Sequence, residues 1–480
     1  MEYNHENMTL LTDFYELTMA NGYFESGAAE KIGYFDLFFR NIPDGGGFAI
    51  AAGLEQVIAY IENLKFTEED LSFLRQKRMF GERFLQYLRD FSFTCDMWAV
   101  PEGTPVFPGE PILTVRGPMA QAQFIETMLL LLINHQSLIA TKANRIVRAA
   151  AGRTVLEFGT RRAHGASAAV FGARAAFIGG CAGTACAIAE KEYPGLPAMG
   201  TMAHSWVQMF DDEYEAFRRY AEIYPENCVL LVDTYNVLKS GIPNAIRVFN
   251  ELKIRKPSIR LDSGDVTYLS KAARKMLDDA GLSRCSIVVS NSLDEYIIRD
   301  VILQGARIDS FGVGERLITS KSDPVFGGVY KLAAVETDGR TEPRMKISEN
   351  VEKITNPGFK KLYRLFCRRT GKVVADLIAL AHEAVPQGDG FEIFHPSFTW
   401  KRKRLRDFYA KDLRERIFDG GKRVYASPSV EEIRTYCGEQ IETLWEESLR
   451  FENPAVYYVD LSRDLWELRA DLIQKYNKTS

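Results

Sequence analysis

Between residues 154 and 314 the chain repeats one pattern: a short apolar run, a polar or glycine-rich end, and in most cases an amphipathic helix. The runs are Thr154–Phe158, Pro197–Thr201, Cys228–Asp233, Ser258–Asp262, Cys285–Ser290 and Ile308–Gly314. Helical spacing follows the third, fourth and fifth of them, over Ile242–Leu252, Val266–Ala280 and Leu293–Gln304. Strands that alternate with helices in this way imply parallel strands joined by right-handed crossovers, in a barrel or a doubly wound sheet.

The strand ends choose between these two. Gly159-Thr160-Arg161-Arg162 follows the first run, His204 the second and Asp233-Thr234-Tyr235-Asn236 the third. Asp262-Ser263-Gly264-Asp265, Ser290-Asn291-Ser292 and Gly312-Val313-Gly314 follow the others. An open sheet concentrates its ligand at one switch point, whereas a closed barrel gathers every C-terminal strand end around one site. The expected fold is therefore α/β, with an irregular barrel of at least six strands.

The flanking regions read differently. Leu54, Val57, Ile58, Ile61 and Leu64 recur at helical spacing and Tyr34–Phe39 reads as a strand, so the first third looks like an α+β unit. A long helix from about Ala120 towards Arg148 closes it, carrying Lys142, Arg145 and Arg148 in its second half. After about Lys331 the chain is more charged and less regular, and Lys401-Arg402-Lys403-Arg404 with Arg406 reads as a solvated helix face rather than a nucleic-acid patch.

At 480 residues the chain has room for two domains, and 46% hydrophobic with 26% charged residues is an ordinary globular mix. A net charge of -4 and a pI near 6.0 supply no global basic field for nucleic acid. Met1–Met8 lacks the basic start and apolar core of a secretory signal, and the plainly apolar run at Met128–Ile133 is short for a bilayer span. Seven dispersed cysteines with no CxxC pair argue against a disulfide framework or zinc ribbon and suit a reducing cytoplasm, with Cys181 and Cys186 as buried packing.

Several segments carry chemistry. Arg260-Leu261-Asp262-Ser263-Gly264-Asp265 lies where a strand gives way to a helix, a setting that suits a phosphorylated ligand; a capped helix explains only part of it. Gly312 and Gly314 allow backbone to approach a phosphate, and a simple tight turn is the alternative. Arg161 and Arg162 offer paired guanidinium groups to a carboxylate or phosphate, or to a surface ion pair. His204, one of six histidines, sits at a strand end between hydroxyl residues.

Taken in order, these segments resemble the nicotinate phosphoribosyltransferases, of the type II phosphoribosyltransferase group. The resemblance covers most of the chain, through Leu11–Met19, Phe35–Arg40, Glu157–Ala163, Gly200–Ser205, Leu231–Tyr235, Arg260–Asp265 and Gly327–Leu332. It implies an α/β barrel at 136–335 beside an α+β domain assembled from 1–135 and 336–480, working as a homodimer. It further implies that Tyr15 and Thr201 help bind nicotinate, that Phe158 packs on the pyridine ring, and that Arg161 stands by its carboxylate. Arg260 and Asp262 would contact the phosphoribosyl group or its Mg2+, Gly312 and Gly314 would hold the 5-phosphate, and His204 would be phosphorylated by ATP. Glu315 departs from the pattern, since many relatives carry a hydroxyl residue there.

The reaction so implied joins nicotinate to phosphoribosyl pyrophosphate in NAD biosynthesis, with ATP as co-substrate. It passes through a ribosyl cation-like state, for which carboxylates and a metal are suited, and the free pyridine nitrogen asks for little acid–base help. Transfer to nicotinamide or quinolinate, or a nonenzymatic phosphometabolite-binding role on the same fold, are the alternatives. No nucleic acid or membrane is expected as a partner.

Overall fold

The computed structural model describes residues 7–348 and 353–477. Of the N-terminal stretch Met1–Met8, residues 1–6 lie outside the described part. The chain divides into two compact units. The first comprises Met1–Leu138, Val325–Pro428 and Thr435–Ser480, and the second Ile139–Pro324 with Ser429–Arg434.

In the second unit five parallel strands lie in the order Thr154–Glu157, Ser310–Val313, Ser286–Asn291, Ser258–Leu261, Val229–Leu231. Five of the six expected runs thus form strands. The helices Ile242–Leu252, Val266–Asp279 and Glu295–Leu303 follow three of them. Pro197–Thr201 does not form a strand. Its Ala198 makes one parallel bridge to Thr184, which makes another to Glu157, so the ladder continues past its edge strand only by single bridges. Proline has no N–H to give, and Gly200 adds no side chain to pack, so this run cannot sustain a ladder. The register aligns Gly312 with Leu156 and Ser290, which brings the C-terminal ends of three strands level.

The first unit is built on a seven-stranded antiparallel sheet, ordered Arg340–Pro343, Gly328–Thr337, Ile32–Phe39, Leu113–Pro118, Asp96–Ala99, Glu415–Asp419, Lys422–Arg423. Strands from both ends of the chain therefore interleave in one sheet, which makes the α+β unit a joint product of distant segments. A second sheet sets Lys360–Cys367 between Phe408–Asp412 and Val373–Leu380, with Val459–Leu461 at its edge. The helix Leu54–Glu62 buries Leu54, Val57, Ile58 and Ile61, one apolar stripe at helical spacing.

Two expectations need correction here. Lys401–Arg406 is not a helix face: Arg402–Leu405 is a strand in a hairpin with Phe391–Phe394, and Ile393 and Leu405 alternate into the core while Arg402 and Arg404 stay exposed. The long helix is two, Met119–Phe124 and Glu126–Ala149. Taken as one apolar stretch, 119–149 is long and apolar enough to cross a bilayer, but 72% of its most apolar window is buried inside the protein, as in a core helix.

Candidate active site

Arg260 is the hub of the strand ends in the second unit. Its Nε donates to Ser290 Oγ at 2.7 Å, one terminal nitrogen to Thr201 Oγ1 at 3.0 Å and the other to Asp262 Oδ1 at 2.8 Å. The guanidinium also lies 5.6 Å from the centre of the Phe158 ring. One side chain thus fixes three expected site residues, Phe158, Thr201 and Asp262, together with Ser290, and its role is at least as much to organise the site as to meet a ligand.

Asp262 accepts from Arg260 and from the Ser290 hydroxyl. Burial pushes its carboxyl pKa up, but the Ser290 hydrogen bond and the Arg260 charge outweigh burial and hold it below the usual carboxylate range. Its backbone N–H and the Ser263 hydroxyl both donate to Asp233 Oδ2. The other Asp233 oxygen is buried with no hydrogen-bond partner, a state that favours a donor or cation beside it. Asp265 caps the next helix through the Tyr268 N–H, and Gly264 turns at φ 79°, a conformation glycine adopts without strain.

His204 opens the short helix His204–Gln208. Its Nδ1 lies 3.1 Å from Thr234 Oγ1 and its Nε2 3.9 Å from Asp262 Oδ2. Either ring nitrogen can carry the proton; in the tautomer that donates Nδ1–H to Thr234, Nε2 is left unprotonated on the side of Asp262.

Phe158 follows the first strand and donates its N–H to Val313 O at 2.8 Å. A Cβ at Gly312 would stand 2.4 Å from the Phe158 ring, and one at Gly314 3.0 Å from the Phe158 carbonyl. The Gly312 position is therefore demanded by the aromatic ring, a reason the sequence did not reveal. Gly314 starts the short helix Glu315–Ile318, whose first N–H groups have no intrahelical acceptor. Glu315 turns its carboxylate to Lys321, 2.6 Å away, so its charge is locally paired and its backbone N–H remains at the helix start.

Arg161 lies in the 3-10 turn Thr160–Arg162, exposed and without a hydrogen-bond or ion-pair partner among the described residues. Tyr15 belongs to the first unit, on the helix Phe14–Glu25. There it lines a cavity of about 310 Å3 with Gln123, Glu126, Tyr330 and Lys331. Beside it, burial raises the Glu16 carboxyl to about 7. Of the expected site residues, eight thus belong to the second unit and Tyr15 to the first.

Asp233, Thr234 and Ser290 join the cluster as well, and their positions at run ends are the only sequence signal that points to them. Among the described residues no group of three or more His, Cys, Asp or Glu side chains could hold a metal ion. Asp233, with one orphaned oxygen, and Asp262 are strand-end carboxylates joined through the Asp262 N–H, and carboxylates are the ligand type Mg2+ takes when phosphate oxygens and water complete its shell.

A polar cluster at the carboxyl ends of parallel strands is where α/β sheets bind their ligands. Residues 139–326 match the family model of the quinolinate phosphoribosyl transferase C-terminal domain. Residues 10–134 and 359–469 match those of the nicotinate phosphoribosyltransferase N-terminal and C-terminal domains. The chain is 46% identical to the nicotinate phosphoribosyltransferase of Bacillus subtilis over 98% of its own length and 96% of that protein's. It is 36% identical to the Dictyostelium discoideum nicotinate phosphoribosyltransferase, covering 95% of this chain and 87% of the relative. A crystal structure of human nicotinic acid phosphoribosyltransferase superimposes with a TM-score of 0.85 at 30% identity, covering 96% of this chain and all of that one. A nicotinate-nucleotide pyrophosphorylase from Pyrococcus furiosus gives 0.70 at 25% identity, over 91% and 96% of the two chains. The chain belongs to the nicotinate phosphoribosyltransferase family.

Proposed function

We propose that this chain transfers the phosphoribosyl group of phosphoribosyl pyrophosphate to the ring nitrogen of nicotinate, for NAD biosynthesis, and couples the transfer to ATP through His204. The observation that carries this reading is the Arg260–Asp262–Ser290–Thr201 cluster with the Phe158 ring beside it at the ends of parallel strands, and, three residues after Phe158, the exposed and unpaired guanidinium of Arg161. Phe158 offers a face to the pyridine, Arg161 a charge-assisted partner to its carboxylate, and Thr201 a hydroxyl whose direction Arg260 sets. The backbone at Gly312–Gly314 receives the 5-phosphate. Asp233 and Asp262 would hold Mg2+, which when bound supplies charge to the departing pyrophosphate. His204 offers Nε2 to the terminal phosphoryl group of ATP, and the added charge would reorganise the strand-end loops around substrate. The second unit closes as an irregular barrel in this reading, and the protein works as a homodimer.

The test is product formation. The protein, nicotinate, phosphoribosyl pyrophosphate and Mg2+ should yield nicotinate mononucleotide and pyrophosphate, and ATP should raise the yield with phosphate trapped on His204. His204→Ala should keep a slow transfer and lose the ATP effect; equal ATP stimulation in both proteins would remove the coupling role. Turnover of nicotinamide or quinolinate in place of nicotinate would overturn the substrate assignment.

A further inference from the structure

Glu157 is the last residue of the first parallel strand and its side chain is fully buried. No lysine or arginine pairs with it among the described residues, and burial raises its carboxyl pKa. An acid buried without a counter-charge costs stability unless its oxygens are used. Both are. Oε1 accepts the N–H of Gly159, and Oε2 accepts the Thr184 hydroxyl at 2.6 Å. The contact with Gly159 is tight enough that a Cβ there would lie 2.7 Å from Oε1 and 2.5 Å from Ile318.

These two hydrogen bonds reach two walls. Gly159 lies between Phe158 and the 3-10 turn that carries Arg161. Thr184, also fully buried, accepts the Cys186 N–H at 3.0 Å, and its backbone is bonded to Pro197 and Met199. That segment leads within two residues to Thr201, whose hydroxyl meets Arg260. One carboxylate therefore fastens the start of the Phe158–Arg161 wall and the approach to Thr201 at the same point.

We propose that Glu157 is a positioning residue for the pyridine-acid subsite: acting through Gly159 and Thr184, it sets the spacing of Phe158 and Arg161 against Thr201 without touching the substrate. Glutamine keeps only one of these bonds as it stands: with its oxygen on the Gly159 N–H, its NH2 group faces the Thr184 hydroxyl, which must turn its own proton away from Glu157's position and lose that acceptor. The inference rests on the nicotinate reading above.

The test compares Glu157→Gln, Thr184→Val and the double variant with the parent, in the full chain, by KM for each substrate, kcat and thermal midpoint. Glu157→Gln should raise KM for nicotinate about tenfold, the scale of one or two lost buried hydrogen bonds, with KM for phosphoribosyl pyrophosphate and kcat within about twofold. Thr184→Val should raise the nicotinate KM less, and the double variant should be no worse than Glu157→Gln, since both act along one path. A fall in thermal midpoint with both KM values unchanged, or equal rises for both substrates, would overturn the positioning role. Should Glu157→Gln not fold, Thr184→Val decides alone: a rise confined to nicotinate supports the inference and unchanged KM values overturn it. A parent protein inactive on nicotinate would instead strike the functional reading, which keeps the two failures apart.

Discussion

Two arginine–aspartate pairs in this molecule use the same two groups in different ways: Arg364 grips Asp376 with two nitrogens, whereas Arg260 gives Asp262 one and turns the others to Ser290 and Thr201. Arg364 and Asp376, facing each other across neighbouring strands of the first unit, meet at 2.6 Å and are fully buried. Arg260 and Asp262 meet at 2.8 Å at the strand ends of the second unit, with 16% and 31% of their side chains exposed. Around the buried pair the partners are internal: Arg364 also donates to Pro105 O, the Tyr457 hydroxyl donates to Asp376, and the remaining Arg364 nitrogen is buried without a hydrogen bond. Around the open pair stand a hydroxyl, a histidine and an orphaned carboxylate oxygen. The same residue types become a structural fastening in one setting and a ligand-ready cluster in the other, and what separates them is access to solvent together with how many of the arginine's donors the aspartate takes.

The sharpest break in the comparison should come from Asp376→Asn. It leaves a buried guanidinium uncompensated, and the expected loss is about 3–5 kcal/mol of unfolding free energy, read by denaturant titration, with activity per folded molecule retained. Asp262→Asn should do the reverse: turnover at saturating Mg2+ falls on the order of a hundredfold, the scale of lost electrostatic stabilisation, while the unfolding midpoint hardly moves. Unchanged turnover would take Asp262 out of the site.

A smaller effect isolates the unpaired arginine. Arg161→Ala should raise KM for nicotinate by roughly 10–100-fold, as loss of a charge-assisted hydrogen bond worth about 1.5–3 kcal/mol requires, and spare phosphoribosyl pyrophosphate. Equal losses for both substrates would count against its placement by the ring acid.

The smallest effect concerns Glu110, buried beside the Arg364–Asp376 pair. Burial, and then the Asp376 charge, raise its carboxyl well above the ordinary 4.5. A raised folded-state pKa means the folded protein favours protonated Glu110. The associated stability is complete below about 4.5 and is lost as pH rises towards the folded value. Glu110→Gln should therefore flatten the decline of stability with rising pH; an undiminished slope in denaturant titrations at several pH values would show that Glu110 does not carry it.

Much of the second unit was legible because local pattern and tertiary role coincide there: five apolar runs become strands, and their polar ends are where the cluster forms. Pro197–Thr201 misled because its composition was apolar while its backbone lacked a donor where a ladder needs one. The helix Ala166–Ile178 went unseen because Ala169, Val170, Ala173, Ala175, Ala176 and Phe177 are buried around most of its circumference, which leaves no amphipathic period to read. The strands after Lys331 escaped for a different reason. Gly328–Thr337 pairs with Ile32–Phe39, some 300 residues away, and no local window holds that information. At the site, residue types at run ends pointed to Arg260, Asp262 and His204, but the orphaned Asp233 oxygen and the partners of Glu157 exist only once distant turns are packed together.

The ring of Phe158 fills the volume that a side chain at Gly312 would need. In the proposed site, the floor under one substrate and the cradle for the other are thus two sides of a single contact. A lineage altering its choice of ring would have to retune its grip on phosphate in the same step, since any bulk added on one side displaces the other. Such a shared wall narrows the mutational routes to a new substrate to those that keep glycine at 312, and directs change instead towards the Arg161 turn, whose exposed side chains are free to vary without disturbing that contact.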